Sequence, residues 1–455
     1  MYKRISVALL VFAAGCDRIS TFEPPPGQAL DAQLRQGIEF WGVVPIDPVP
    51  TQNPALVDLG QALFFDRILS GNRDVSCSTC HAPESQMNDG LSLAVGTGGS
   101  GIGPGRTLGA GRGFVPRNAP TILNVGLGLV YTLWDGRVNQ EFGQTGFTTP
   151  SNTVLPPGVQ NLLAAQAMFP VLNRVEMRGD SGDVDVFGNP NELAAIPASN
   201  AAAIWRATMT RLLAVSEYVS KFNAAYPGVP VASLGFQHAA NAIAAFEVSA
   251  FTRSSSPFDR YLLRDNDALT DEQKRGGIVF FGKGQCASCH SGALLGGRQF
   301  VNIGVPQLGP GVGAAAPLDI GRGEQVAGMS QQFYRFNFRA PQLRNVELTA
   351  PYMHNGAYAT LENVVRHYTN ADSALRNYDV SQLAPALRTT VRNDPATIAD
   401  ILTNLDFRLQ ARRIQLSNVE QQEIVAFLKS LTDPAAKTLT HTIPPSVPSG
   451  LSVRD

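Results

Sequence analysis

Two pentapeptides, Cys77-Ser78-Thr79-Cys80-His81 and Cys286-Ala287-Ser288-Cys289-His290, hold the residues of this chain best equipped for chemistry. Two thiols three positions apart lie on one helical turn, where they can form thioethers to the two vinyl groups of one porphyrin. The histidine that follows each pair then lies over the proximal face of the iron. Four cysteines could instead make two disulfides, bind zinc or form a thioredoxin-like redox pair. Zinc needs four clustered ligands, and the six histidines of the chain are too scattered to supply two such sets. A thioredoxin pair belongs in a βαβ pattern, which this sequence lacks. Two covalently bound c-type haems therefore follow, with His81 and His290 as proximal iron ligands.

Such sites must be held by helices. Small cytochrome c domains place one helix before the attachment site and another after the haem loop, and similar stretches, GQALFF (60–65) and GGIVFF (276–281), precede the two sites here. The chain reads as internally duplicated, mainly α, with two cytochrome c-like haem domains in tandem and few strand signals. A helical pattern over 237–251 closes the first half, and SSSPFDRY (254–261) breaks it, which bounds the haem domains at 51–253 and 254–433. An amphipathic helix over 418–431 ends the second, and 434–455 is a Pro/Ser-rich tail. The glycine-rich stretch 96–113 contains a G-x-G-x-x-G, but no strand precedes it and no helix opens from it. It reads as a loop near the first haem.

A length of 455 residues allows two or three domains. With 16% charged and 44% apolar residues and a net charge of -1, the composition is globular, and no basic excess points to nucleic acid or anionic lipid. The first fifteen residues have a Lys/Arg start and an apolar run too short to span a bilayer, the pattern of an export signal. Cys16 follows Ala14-Gly15 as in a lipoprotein signal, so residues 1–16 predict a signal peptide with a lipid anchor at Cys16, or else simple secretion. Residues 17–35 read as a tether within an N-terminal segment running to 50. The folded part is expected in the periplasm, membrane-anchored if Cys16 is lipidated.

After His81 no histidine follows until His238. The covering loop, roughly 82–118, offers only Met87 and a few carboxylates as a sixth ligand, and Met87 is too near in sequence to cross to the far face. This predicts a five-coordinate iron, open to peroxide or another small ligand; the alternative is a sixth ligand from water or a loop group that the sequence does not reveal. For the second haem, Thr360 predicts an N-cap with Glu362 in the first turn. Leu361, Val364, Val365 and Tyr368 then share one face, while the adjacent His367 falls off it, towards the rim. Tyr368 is the better ligand of the pair, though a tyrosine on an apolar face can be plain core.

Together with RNAPTILNV (117–125), WDGR (134–137), QAMFPVLNRVEM (166–177), SPFDRYL (256–262) and APYMHNG (350–356), the haem motifs make residues 54–433 resemble the bacterial dihaem cytochrome c peroxidases and their MauG-type relatives. The resemblance implies that Trp134 relays electrons between the haems. Gln166, Pro170 and Glu176 match the peroxide pocket, with Glu176 as the acid/base that moves a proton between the peroxide oxygens. It implies a calcium ion held by Asn118 and by the carbonyls of Thr349 and Pro351, oxygen donors that suit this hard cation. It also places His354 near the second haem without ligating it.

The sequence departs from the peroxidase pattern in three places. The loop histidine that blocks the peroxidatic iron in typical members is absent around Ala110. The methionine usual at the second haem is replaced by Tyr368, fourteen residues after His354. Both changes match the MauG pattern. A third is an insertion between Arg137 and Gln166. Anionic oxygen ligation stabilises oxidised iron and lowers its potential relative to a thioether, so a Tyr368-ligated haem suits storage of oxidising charge. The function expected is a periplasmic dihaem peroxidase, reducing hydrogen peroxide to water with electrons from a small c-type cytochrome or cupredoxin. One alternative is MauG-like oxidation of aromatic side chains of a protein substrate; another is a non-enzymatic dihaem electron carrier.

Overall fold

A glycine on the helix before each attachment site lets a second helix press onto its backbone. The helix Pro54–Phe65 starts at Asn53, whose side chain accepts from the Ala55 amide, with proline in the first turn. The helix Asp271–Phe281 starts with a Thr270/Gln273 capping box. A Cβ added at Gly60 would stand 1.9 Å from the Ala242 carbonyl oxygen, and one at Gly276 would stand 1.8 Å from that of Glu423. The partners, helices Phe236–Phe251 and Asn418–Ser430, can cross so closely only over a residue without a side chain. Phe64 and Phe65 then meet Phe246 at ring distances of 5.5 and 6.1 Å, and Phe280 and Phe281 meet Phe427 at 5.2 and 5.7 Å. The same helix crossing, glycine and aromatic triad included, occurs twice.

This computed structural model describes residues 29–410 and 414–454; the export-signal residues and Cys16 lie outside the described residues. Two main cores result, one around Leu59, Leu63, Phe64 and Phe246, the other around Phe258, Phe281 and Phe427. Helices dominate. The regular strands among the described residues form two short antiparallel ribbons, Tyr131–Thr132 with Val138–Asn139 and Phe300–Val301 with Phe338–Arg339. Among the described residues no helix is long and apolar enough to cross a membrane.

The terminal segments are built into these cores, which the sequence does not foretell. Part of the expected tether is helix from Leu30, and Leu34 and Ile38 enter the second core. Trp41 donates its indole N–H to the Phe281 carbonyl at 2.7 Å. At the other end the Pro/Ser-rich tail lies on the first core, burying Ala436, Leu439 and Val447. Ser449 Oγ donates to Asp66 at 2.6 Å, and Gln61 donates to the Thr442 carbonyl at 2.8 Å. Each end of the described residues thus crosses to the core of the opposite half. The tail's apolar residues are too sparse for a periodic signal, yet Leu439 is fully buried. Leu439→Ala should lower unfolding stability by about 2–5 kcal/mol; a denaturation midpoint equal to that of the parent would show the tail to be loosely held.

Candidate active site

Cys77–Cys80 form one helical turn behind Ser76, and His81 ends it. Cys286–Ser288 form a tighter turn before His290. His81 Nδ1 faces the Met87 carbonyl at 3.3 Å and His290 Nδ1 faces that of Leu295 at 3.1 Å. A ring nitrogen engaged in this way leaves Nε2 to face the metal. Burial draws both imidazoles down to about 4, which keeps them in the neutral, ligating form. Met87 is buried, and its backbone carbonyl faces His81 Nδ1. Near the second attachment site, Arg339 Nη1 and Arg344 Nη2 are buried without a hydrogen-bond partner among the described residues. Arg344 also pairs with Asp259 at 2.5 Å and Arg339 Nε donates to the Leu133 carbonyl, but the N–H groups left over suit the carboxylates that a haem carries. The residues present fit a c-type haem in both places.

The residues expected to form the peroxide pocket stand on consecutive turns. Gln166 lies in the last turn of the helix Leu162–Ala167, Pro170 opens the turn Pro170–Leu172, and Glu176 is carried by the π-turn Arg174–Arg178. π-turns are rare and concentrate at functional sites. Asn173 caps this one and donates from Nδ2 to Glu176 Oε1 at 2.8 Å. Burial raises the Glu176 pKa, against the opposing pull of Arg137 and Arg117. Its charge reaches the Cys80 thiol, so the carboxyl and the first attachment site come together.

The glycine-rich stretch forms a fixed roof over this turn. Thr97 N donates to the Glu176 carbonyl at 3.0 Å, and a Cβ on Gly96 would stand 2.0 Å from the Val175 carbonyl oxygen. Arg106 holds the loop from within, donating to the carbonyls of Val95, Gly96 and Gly101 at 2.7, 2.8 and 2.7 Å. The glycines serve close backbone packing.

Trp134 is stitched between the two haem segments. Its indole N–H donates to the Asn118 carbonyl at 2.9 Å, and its own carbonyl accepts from Arg339 N at 2.8 Å. The backbone of Pro120, two residues after Asn118, bonds His81, and that of Pro341, two after Arg339, bonds His290. Asn118 N donates to the His354 carbonyl at 2.8 Å. The His354 ring is buried and stacks on Phe338 at 3.5 Å, and burial draws its pKa down to about 3.

Beside this stack lies an ionic cluster that the motifs alone do not reveal. Arg117 donates to both oxygens of Asp319 at 2.6 and 2.8 Å and meets Asp135 at 2.7 Å. Burial opposes ionisation of Asp135, but Arg117 and Arg137 outweigh it and hold its carboxyl at about 2. Asp319→Asn leaves the buried Arg117 undercompensated and should cost about 3–5 kcal/mol, read from denaturant unfolding. Glu247 also escaped the sequence reading; it is buried mid-helix with Oε2 unpaired, and burial pushes it up to about 8.

The residues expected to hold calcium come from two segments laced together. Asn118 Nδ2 donates to the Leu91 carbonyl at 2.7 Å, and Asn88 Nδ2 donates to the carbonyl of Leu348, beside Thr349, at 3.2 Å. Among the described residues there is no group of three His, Cys, Asp or Glu that could hold a metal ion.

Thr360 caps the helix Leu361–Thr369, accepting from Asn363 N. Leu361 and Val365 enter the second core, and Tyr368 packs against the cluster of Leu405 and Leu409. Burial raises the phenol's pKa, and the charges of Cys289 and Cys286 act on it next, so Tyr368 faces the second attachment site. Arg408 favours the phenolate; it pairs with Asp406 at 2.7 Å and donates to Ser288 Oγ at 3.2 Å, on the attachment turn. His367 does not sit on the rim. It is 1% exposed, with Nδ1 against Tyr358 Oη at 2.8 Å and Nε2 against the Ile303 carbonyl at 2.6 Å. The apolar count missed this second buried side because polar partners line it. With both ring nitrogens occupied, His367 is structural.

A sequence profile of the di-haem cytochrome c peroxidases matches residues 54–267. The chain is 29% identical over 396 residues to the methylamine utilization protein MauG of Methylorubrum extorquens, covering 86% of this chain and 83% of that protein. It is 33% identical over 330 residues to the cytochrome c551 peroxidase of Pseudomonas aeruginosa, covering 72% and 74%. The crystal structure of the diheme peroxidase BthA from Burkholderia thailandensis shares its fold, with a TM-score of 0.57 at 22% identity over 91% of this chain and 94% of that one. With its two haem-attachment turns and this degree of identity, the chain belongs to the di-haem cytochrome c peroxidase family of haem-dependent oxidoreductases.

Proposed function

We propose that this protein is a periplasmic peroxidase that reduces hydrogen peroxide at the His81 haem, with electrons from a small c-type cytochrome or cupredoxin. The observation that carries the reading is the half-buried Glu176 carboxyl, held on its π-turn by Asn173 and close enough to Cys80 for its charge to act there. The haem, when bound, would supply the iron that binds peroxide and the electrons that O–O cleavage consumes. Glu176 takes the proton from the proximal peroxide oxygen and returns it to the distal one, so that water leaves. Asn173 holds the carboxyl in place, and Gln166 and Pro170 shape the pocket around the substrate. Trp134 carries charge between the His81 side and the His290/Tyr368 side. The architecture proposed is two cytochrome c-like haem domains in tandem, 51–253 and 254–433, with a calcium ion at Asn118, Thr349 and Pro351 fixing the segment that holds Trp134.

A second reading is favoured by Tyr368. A phenolate ligand would keep oxidising charge on the second haem, which suits oxidation of aromatic side chains of a protein substrate. Steady-state peroxide consumption by the fully oxidised holoprotein, supplied with a reduced small cytochrome c or a reduced cupredoxin, tests the first reading. Two donors should be oxidised per peroxide without prior reduction of the enzyme. Peroxide-driven spectral change with no oxidation of either donor would move the assignment to a protein substrate.

A further inference from the structure

We propose that Tyr131 is the surface outlet through which an oxidising equivalent held at Trp134 reaches an external phenol, with Glu141 taking and returning the phenolic proton. The inference rests on the peroxidase reading, which supplies the oxidant, and it gives the insertion after Arg137 a task.

Trp134 is three positions after Tyr131 in the chain, which limits their Cα atoms to about 11 Å apart. The ribbon pairs Tyr131 with Asn139, two residues before Glu141, and Tyr131 Oη donates to Glu141 Oε1 at 2.8 Å. The Tyr131 ring packs edge-on against Phe300 with centroids 4.9 Å apart, and the Arg322 guanidinium covers both rings at 5.6 and 4.7 Å. This group is wedged against the Trp134 turn itself. A Cβ on Gly136 would stand 2.3 Å from the Phe300 ring and 3.1 Å from that of Tyr131, and Arg322 Nη1 donates to the Asp135 and Gly136 carbonyls at 3.2 and 3.0 Å. Gly136 also has φ +66°, so the turn needs glycine twice over. Tyr131 is half-buried and Glu141 exposed, which puts the pair at the solvent boundary beside the inter-haem tryptophan.

A phenol gives up an electron readily only when its proton leaves at the same time, and a carboxylate at hydrogen-bond distance is the acceptor this requires. One electron passes from Tyr131 to the electron-deficient Trp134, the Oη–H bond breaks, and the proton moves to Glu141 Oε1. Tyr131 is left as a neutral phenoxyl radical and Trp134 is restored. An external phenol then supplies one electron to the Tyr131 oxygen, Glu141 returns the proton there, and the external phenol loses its own proton to solvent. Arg322 over the ring disfavours a positively charged tyrosine, so loss of the proton is coupled to loss of the electron.

The test uses the holoprotein with peroxide and a phenol coupled to dextran, too bulky to reach a buried haem. A nitroso spin trap with mass spectrometry of the adduct reports where the radical sits. The parent protein should give an adduct on Tyr131 and oxidise the tethered phenol. Tyr131→Phe should lose the adduct and slow that oxidation by about tenfold or more, and Glu141→Gln should lower the adduct yield. An adduct absent from Tyr131 in the parent, or parent-like oxidation of the tethered phenol by Tyr131→Phe, would overturn the inference while leaving the peroxidase reading intact. Haem spectra that peroxide leaves unchanged would overturn both.

Discussion

Glu176→Gln should lower peroxide turnover by about 10²–10⁴-fold while both haems remain attached. Glutamine preserves the shape of the side chain and can still accept from Asn173 Nδ2 through its amide oxygen, so the π-turn and the roof that Thr97 ties to it should persist. It cannot take a proton from the proximal peroxide oxygen. The carboxyl must be ionised to do so, and burial raises its pKa. Parent turnover should therefore fall on acidification at a higher pH than an ordinary carboxylate would dictate, and the variant should lose that limb of the profile. Turnover by Glu176→Gln within a few-fold of the parent would assign the proton transfer elsewhere.

Tyr368→Met should raise the reduction potential of the second haem by on the order of hundreds of millivolts, a sizeable share of the ~0.8 V range over which axial ligands move haem potentials. The charges of Cys289 and Cys286 act on the phenol, and Arg408 favours its anionic form. An anionic oxygen donor stabilises the oxidised iron, and a thioether favours the reduced one. Spectroelectrochemical titration resolves the two haems, and a potential unmoved by the substitution would show that Tyr368 is core and not a ligand. In the holoprotein the same exchange should favour donor oxidation over retention of oxidising charge.

What was legible in the sequence is what short-range chemistry requires. Thioether attachment demands cysteines and histidine in one turn, so both haem peptides were plain. Thr360 announced its helix because an N-cap is local, and Gly60 with Phe64 and Phe65 matched Gly276 with Phe280 and Phe281 because the same helix crossing recurs. Pairings that depend on the folded chain were not legible. Arg117 and Asp319 are 202 residues apart and mean nothing singly. His367 was misjudged because Tyr358 and Ile303 bury it through polar contacts that apolar periodicity does not register. Leu439 lies in a stretch whose composition reads as a loose tail, and it is fixed by a core that closes at the other end of the chain. Tyr131 lies outside every motif; only the ribbon that brings Glu141 to it gives it a chemical role.

The most direct test of the account is rapid mixing of the fully oxidised holoprotein with hydrogen peroxide, with no reductant added and absorption followed at the His81 haem. An immediate spectral change is expected, markedly slower in Glu176→Gln, because the covering loop holds no histidine that could block the iron. A spectrum that stays unchanged until the second haem is reduced would contradict it, and would mean that the first haem carries a sixth ligand released only on reduction.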